Sequence, residues 1–381
     1  MKTLRCLLLL LIFWSCKQGP GKKISAAVPS DTVDVSHASG FTITKSTEGI
    51  TIINITSPWP NAEAVFTYAL VPREKLAFIT LDKDAYDAII ATPIEKIVVT
   101  STTHIPALEA LGVENTLIGF PNAEYVSSEK TRTRIEKNLV QELGNNEAIN
   151  AEMVIALQPD VVVGFSIDNR NKAYSTIQNS NIPVVYNGDW TEETPLGKAE
   201  WIKFFAPFYH LEEKADSIFK EIETNYNQAK QLALQAKNRP SVLSGALYKD
   251  VWYLPGGKSW ASNFISDANA SYLWESSEET GSLSLSLESV LDQAKEADFW
   301  ISPSQFISYE QLEEGNRHYT QFKAFKEQKI FTFANSKGAT GGLLYYELAP
   351  NRPDLVLKDL IHIFHPELLP VYKPFFFKPL E

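Results

Sequence analysis

Two α/β lobes, each built on a parallel sheet and joined by one long helix, are what the sequence predicts. Three observations carry that expectation. Short β-branched runs alternate with amphipathic segments up to residue 208, and the alternation resumes after residue 240. Between them lies an unbroken helical pattern. A small helix–stop–strand unit is also written twice, as NAEMVIALQPDVVVG at 150–164 and more loosely as SLESVLDQAKEADFWIS at 286–302.

The chain begins with a targeting pattern. Lys2 and Arg5 precede the apolar run LLLLLIFW, which is too short to span a bilayer. The run ends at Ser15-Cys16 and resembles a bacterial lipoprotein lipobox, which implies cleavage before Cys16 and diacylation of its thiol. Cys6 leaves with the signal, so the mature chain holds no disulfide and depends on its core. With 381 residues and 44% hydrophobic content, that core can be large. Net charge is −11 and the basic residues are scattered, which argues against a nucleic-acid partner.

Residues 17–39, rich in Lys, Gly, Ser and Pro, read as a tether. The first lobe is expected over residues 40–208. FTITKSTEGITIINIT alternates like a β-hairpin turning at Glu48-Gly49. EKIVVTST is a buried strand, THIPALEAL a helix stopped by Gly112, and NTLIGF the next strand. Helix 150–158, strand 160–165 and the strand in IPVVYNG complete the alternation of a parallel sheet covered on both faces.

The connecting helix is expected within residues 209–239. From 211 to 237 there is no Gly or Pro, and Ala215, Ile218, Phe219, Ile222, Tyr226, Ala229 and Ala233 form one apolar face. Its length would be roughly 40 Å, with Pro240 ending it. The second lobe, 240–381, opens with the strand PSVLSGAL. DVWYLPGGKSWASNFISDANA follows as strand, glycine loop and helix. The repeated unit, the strand in QKIFTFAN and a last helix at 354–364 come next, and the aromatic tail wraps back onto a lobe.

The whole mature chain resembles the substrate-binding proteins of bacterial ABC importers, in the class that carries iron chelates and cobalamin. The likeness lies in the lipobox, PIEKIVVTSTTHIPALEALGVENTLIGF, INAEMVIALQPDVVV, the long helix, VWYLPGGKSW, LSLESVLDQAKEADFWIS and RPDLVLKDLIHIFHPELLP. It implies a class III periplasmic-binding-protein fold with a ligand cleft between the lobes and a rigid helix limiting their motion. It further implies a monomeric carrier that hands a metal chelate (ferric siderophore, haem or cobalamin) to a permease dimer driven by a cytoplasmic ATPase. In such proteins each lobe offers an exposed glutamate to arginine pockets of the permease, and the matching positions are Glu152 and Glu288. Asn150 and Ser286 are suitable N-caps, which puts each carboxylate in a first helical turn where the helix dipole favours an anion.

Ligands of open α/β sheets bind beyond the carboxyl ends of the strands. That rule points to Thr103, His104, Phe165, Asn169 and Trp190 in the first lobe. In the second it points to Trp252, Tyr253, Lys258, Trp260, Tyr345 and Tyr346. Such an aromatic cleft suits a corrin, porphyrin or catechol by stacking, while Lys258 and Arg352 could pair with an anionic chelate. GGKS lacks the upstream glycine of a phosphate loop, since position 252 is Trp. His362 and His365 are two ligands at a helix end, too few for a metal site. No cofactor held directly by the protein is expected. The rival readings are a cleft enzyme such as a chelatase, and a surface protein that captures its ligand without a dedicated permease. The sequence offers no G-x-S-x-G elbow, HExxH or free thiol nucleophile for the enzyme.

Overall fold

The β-branched runs of the first lobe become a five-stranded parallel sheet, ordered Gln141–Glu142, Leu117–Phe120, Ile97–Val99, Val161–Gly164, Val184–Tyr186. Both of its faces are covered, so its central strands carry apolar side chains at every position: Ile97 to Val99 and Val161 to Val163 are all fully buried. The computed structural model describes residues 22–24, 29–60, 62–168 and 170–381; Cys16 and Asn169 lie outside these. Among the described residues no helix is long and apolar enough to cross a membrane.

The second lobe repeats the plan. Its sheet runs Ser271–Tyr272, Ser241–Ser244, Phe299–Ile301, Ile330–Thr332, Lys378–Pro379, parallel except for the last strand. That last strand is the wrapped tail, fastened by the Asp359 carboxylate, which accepts the backbone N–H groups of Phe375, Phe376 and Phe377. PSVLSGAL departs from expectation by splitting into two strands at Gly245. A side chain there would meet the Tyr253 carbonyl oxygen at 1.9 Å, and φ is +79°. Ala246–Tyr248 therefore swings out to join Val251–Pro255 and Ser282–Leu285 in a separate antiparallel sheet.

One helix, Glu212–Ala233, joins the lobes without a break. It ends four residues before the expected limit and spans about 33 Å. Beyond Ala233 the chain tightens into a turn, and the Ala233 carbonyl accepts both the Ala236 N–H and the Asn269 side-chain amide. The buried face follows the helical period, and its two halves serve different cores. Ala215, Phe219 and Ile222 pack into the first lobe, whereas Tyr226, Ala229 and Ala233 pack into the second. Burying a side chain like Phe219 contributes on the order of 2 kcal/mol, so the helix is held along its whole length.

The expected hairpin forms, with Phe41–Ser46 antiparallel to Thr51–Ile55. It belongs to a further five-stranded sheet, Pro29–Thr32, Phe41–Ser46, Thr51–Ile55, Phe66–Pro72, Ala88–Thr92, laid against the first lobe. One face buries Phe41, Ile43, Ile53, Ile55, Tyr68, Leu70 and Ile90 in the same core as Ile97 and Val99. The tether expectation needs correction here, because residues 29–39 are part of this lobe. The Glu200 carboxylate accepts the N–H groups of Ser36, His37 and Ala38, and Glu192 accepts those of Ser39 and Gly40. Backbone donors gathered on two carboxylates satisfy what a free linker would give to water.

Candidate ligand cleft

The carboxyl ends of both parallel sheets face a cleft between the lobes, divided into two chambers. The larger encloses about 820 Å³; Trp59, Pro60 and Trp190 wall it from the first lobe, and Tyr248, Tyr253, Trp260 and Tyr345 from the second. The smaller, about 490 Å³, lies between Phe120, Tyr125 and Phe165 on one side and Gln305 and Leu343 on the other. Tyr346 borders both chambers. Among the described residues the four tyrosines exposed to solvent, Tyr125, Tyr248, Tyr253 and Tyr346, all stand on these walls, with Tyr346 53% exposed. A folded protein that leaves such rings uncovered in one place marks a binding surface.

Support behind the rings is rigid. Tyr345 stacks on Phe333 with centroids 4.3 Å apart and planes 6° from parallel. Phe165 meets Trp190 edge-on at 5.4 Å. The Lys198 ammonium, nearly buried, lies 5.2 Å from the centre of the Trp260 ring and donates to the carbonyls of Asp189 and Trp190, tying the lobes together. Burial pulls its pKa below the usual lysine value, against the opposing fields of Asp189 and Glu192.

Phe165, Trp190, Tyr253, Trp260, Tyr345 and Tyr346 thus line the chambers as the strand-end rule suggested. Five residues do not. Trp252 is fully buried against Trp300 and Tyr319, its indole N–H bonded to the Ser244 carbonyl, because strand alternation turns it inward and Tyr253 outward. His104 is also fully buried, its ring against Phe205, and burial lowers its pKa so that it is neutral. Thr103 turns its hydroxyl to Asp189 at 2.6 Å. Lys258 pairs with Glu278 in a loop where Gly256 packs too closely on the Glu279 carbonyl for any side chain. Arg352 is held by both oxygens of Asp354 at 2.8 and 2.9 Å, where it starts the last helix. His362 and His365 bond to backbone carbonyls of Leu369 and Ala268.

Trp59, Pro60, Tyr125 and Tyr248 escaped the sequence reading. The tryptophan of SPWP sits in the extension, whose loop at Ser57 packs so tightly on Gly188 that it is carried to the rim of the cleft. A tryptophan between two prolines was the available signal.

Glu152 and Glu288 are both exposed, each in the first turn of its helix, Ala151–Leu157 and Leu287–Ala294. Asn150 and Ser286 cap these helices, accepting from the N–H groups of Met153 and Ser289. Each helix runs back before the strand that follows it, so its N-terminus lies at the carboxyl end of that strand, on the cleft side.

A second joint closes the far side of the cleft. Glu347 of the second lobe is almost completely buried and accepts the N–H groups of Ser127 and Ser128 in the first. Asn351 donates to the Thr103 carbonyl, and Thr340 to that of Glu124. Burial, with Glu109 nearby, raises the Glu347 carboxyl from its ordinary 4.5 to about 7. The folded protein therefore keeps this proton where an unfolded chain has lost it. Stability from this group is greatest below pH 4.5 and falls as pH rises through about 7, by at most about 3 kcal/mol. Urea unfolding across that range should show the decline, and Glu347→Gln should flatten it.

Comparison with known proteins fits this architecture. Residues 97–336 match the periplasmic binding protein family. An uncharacterized lipoprotein of Methanocaldococcus jannaschii is 28% identical over 298 residues, covering 76% of this chain and 69% of that one. Among solved structures, a possible iron-binding periplasmic solute-binding protein from Staphylococcus epidermidis superposes with a TM-score of 0.57 at 17% identity, over 72% of this chain and 100% of the other. A periplasmic heme binding protein from Pseudomonas aeruginosa gives 0.57 at 15% identity, over 76% and 98%. With the matched segment running from the first strand of one lobe to beyond the Ile330–Thr332 strand of the other, the chain belongs to the periplasmic binding protein family, as a non-enzymatic, substrate-binding component of transport with the class III fold.

Proposed function

We propose that this protein captures a metal chelate, a ferric siderophore, haem or cobalamin, between its lobes and delivers it to the permease of an ABC importer. The observation that carries the reading is the set of rings around a chamber of about 820 Å³, with Tyr248, Tyr253 and Tyr346 uncovered on the second lobe and Trp59 and the half-buried Trp190 walling it from the first. Flat or ring-shaped chelates fill such a space by stacking, and contacts from two lobes at once require a ligand that bridges them. Two structural neighbours, a possible iron-binding protein and a heme binding protein, point the same way. Lys258 and Arg352 pair with Glu278 and Asp354 and stand outside both chamber walls, so in this reading the rings supply the main contacts. In this reading Cys16 carries the lipid that holds the carrier to the cell envelope, and Glu152 and Glu288 dock it on the permease.

The test begins with the chelate that co-purifies with the protein from its native host, identified by absorbance and mass. Calorimetry should give one chelate per chain without turnover. Trp260→Ala should weaken binding roughly tenfold, the value of one lost stacking partner. Trp252→Phe, in the core, should leave affinity unchanged. Equal effects of the two substitutions would remove the cleft from the account.

A further inference from the structure

The first lobe ends, on the side away from the cleft, in a small apolar surface beside the exit of the N-terminal chain. Strand Phe66–Pro72 starts near cleft level, where the Tyr68 hydroxyl accepts the N–H of Tyr186. It finishes at the opposite pole, where Arg73 bonds to Asp160, just before the first residue of strand Val161–Gly164. Immediately beyond come Leu76, Ala77 and Phe78, all exposed, with Leu76 at 45% and Phe78 at 57%. Among the described residues no core claims these side chains.

Strand Ile79–Leu81 follows, and Lys22–Ile24 pairs with it in parallel, Lys22 opposite Ile79. Parallel pairing sets Lys22, the first residue of its strand, at the Phe78 end of the partner strand. Cys16 is six residues upstream, and a chain reaches at most about 3.5 Å per residue, so a lipid on that cysteine can be no more than about 20 Å of chain from Lys22.

We propose that residues 76–78 rest on the bilayer that holds the lipid of Cys16, so that the cleft, Glu152 and Glu288 face away from it. This inference depends on the lipid anchor put forward above. A leucine and a phenylalanine pressed into the headgroup boundary supply a second signal beside the acyl chains. Arg73 is bonded to Asp160 and the Lys75 ammonium to the Glu48 carbonyl, with Glu74 between them, while Lys22 and Lys23 pair opposite Ile79 and Thr80. A carrier held in this way presents its cargo to a membrane facing the one that anchors it.

The full-length lipidated protein, reconstituted in vesicles of phosphatidylethanolamine and phosphatidylglycerol with rhodamine-labelled headgroups, tests this. A fluorophore is attached through Phe78→Cys or, separately, Glu147→Cys, which neighbours Asn146 on the wall of the smaller chamber. Because the two sites lie toward opposite ends of the first lobe, transfer to the headgroups should be about threefold or more stronger from position 78. Equal transfer, or stronger transfer from position 147, overturns the orientation while leaving the anchor intact. Absence of a lipid on the protein, read by mass, overturns the anchor and the orientation together.

Discussion

Replacing Glu152 and Glu288 together by alanine is expected to reduce chelate uptake about 100-fold while leaving chelate affinity unchanged, with each single change costing roughly tenfold. The expectation follows from how the two carboxylates are carried. Each occupies the first turn of a capped helix on the cleft side of its own lobe, and neither touches a chamber wall. The backbone N–H of Glu288 itself and the Ser286 side chain hold that carboxyl below the usual glutamate range, so it is ionised at neutral pH. Helix Glu212–Ala233 is packed into both cores and keeps the two lobes, and so the two charges, at a fixed separation. A docking partner with two cationic pockets would read that separation, and losing both contacts should stop delivery without disturbing capture. Uptake by cells carrying the double variant, set beside calorimetry on the purified protein, separates the two steps. Normal uptake with normal affinity would remove the two-point dock.

Glu200→Ala should destabilise the first lobe by about 3–5 kcal/mol, as expected when one partner of a buried charge pair is removed. Glu200 is fully buried, accepts three backbone N–H groups from residues 36–38 and pairs with the nearly buried Lys203 at 2.9 Å. Removing the carboxylate leaves all four donors without it, and the ammonium of Lys203 keeps the Asp34 carbonyl and, at 3.7 Å, the exposed Asp216 carboxylate. Burial pushes the Glu200 carboxyl up, but Lys203 and the backbone donors outweigh it and hold the pKa below 4.5. Its contribution is therefore present above pH 4.5 and is lost as pH falls through the depressed value. Denaturant unfolding at neutral pH, with proteolysis of residues 29–40 as a local readout, measures the effect. A loss below about 1 kcal/mol would mean water satisfies those donors and the segment is only loosely held.

Much of this architecture can be read directly from the residues. The connecting helix is legible because Ala215, Phe219, Ile222, Tyr226, Ala229 and Ala233 recur at helical spacing with no breaker between them. Its early end is not legible, since Asn269, distant in sequence, caps it. The strand ends that border the cleft follow from a general rule of α/β sheets, which is why Phe165, Trp190 and Trp260 fall on its walls. Which member of an aromatic pair faces the ligand depends on register. Trp252 and Tyr253 differ by one position and so point to opposite faces. Lys258 and Arg352 looked available because their partners, Glu278 and Asp354, are set by loop geometry and helix start, not by pattern. Residues 29–39 have a linker's composition, yet two carboxylates more than 150 positions away capture their backbone. Trp59 reaches the cleft only because the extension packs beside Gly188.

The most direct test of the central claim, that the rings of both lobes hold the cargo, is a crystal structure of the protein with the chelate that co-purifies with it. The expected result is one chelate in the larger chamber, in contact with Trp260 and Tyr346 on one side and Trp59 or Trp190 on the other. A chelate bound to one lobe alone, or seated outside the cleft, would contradict it.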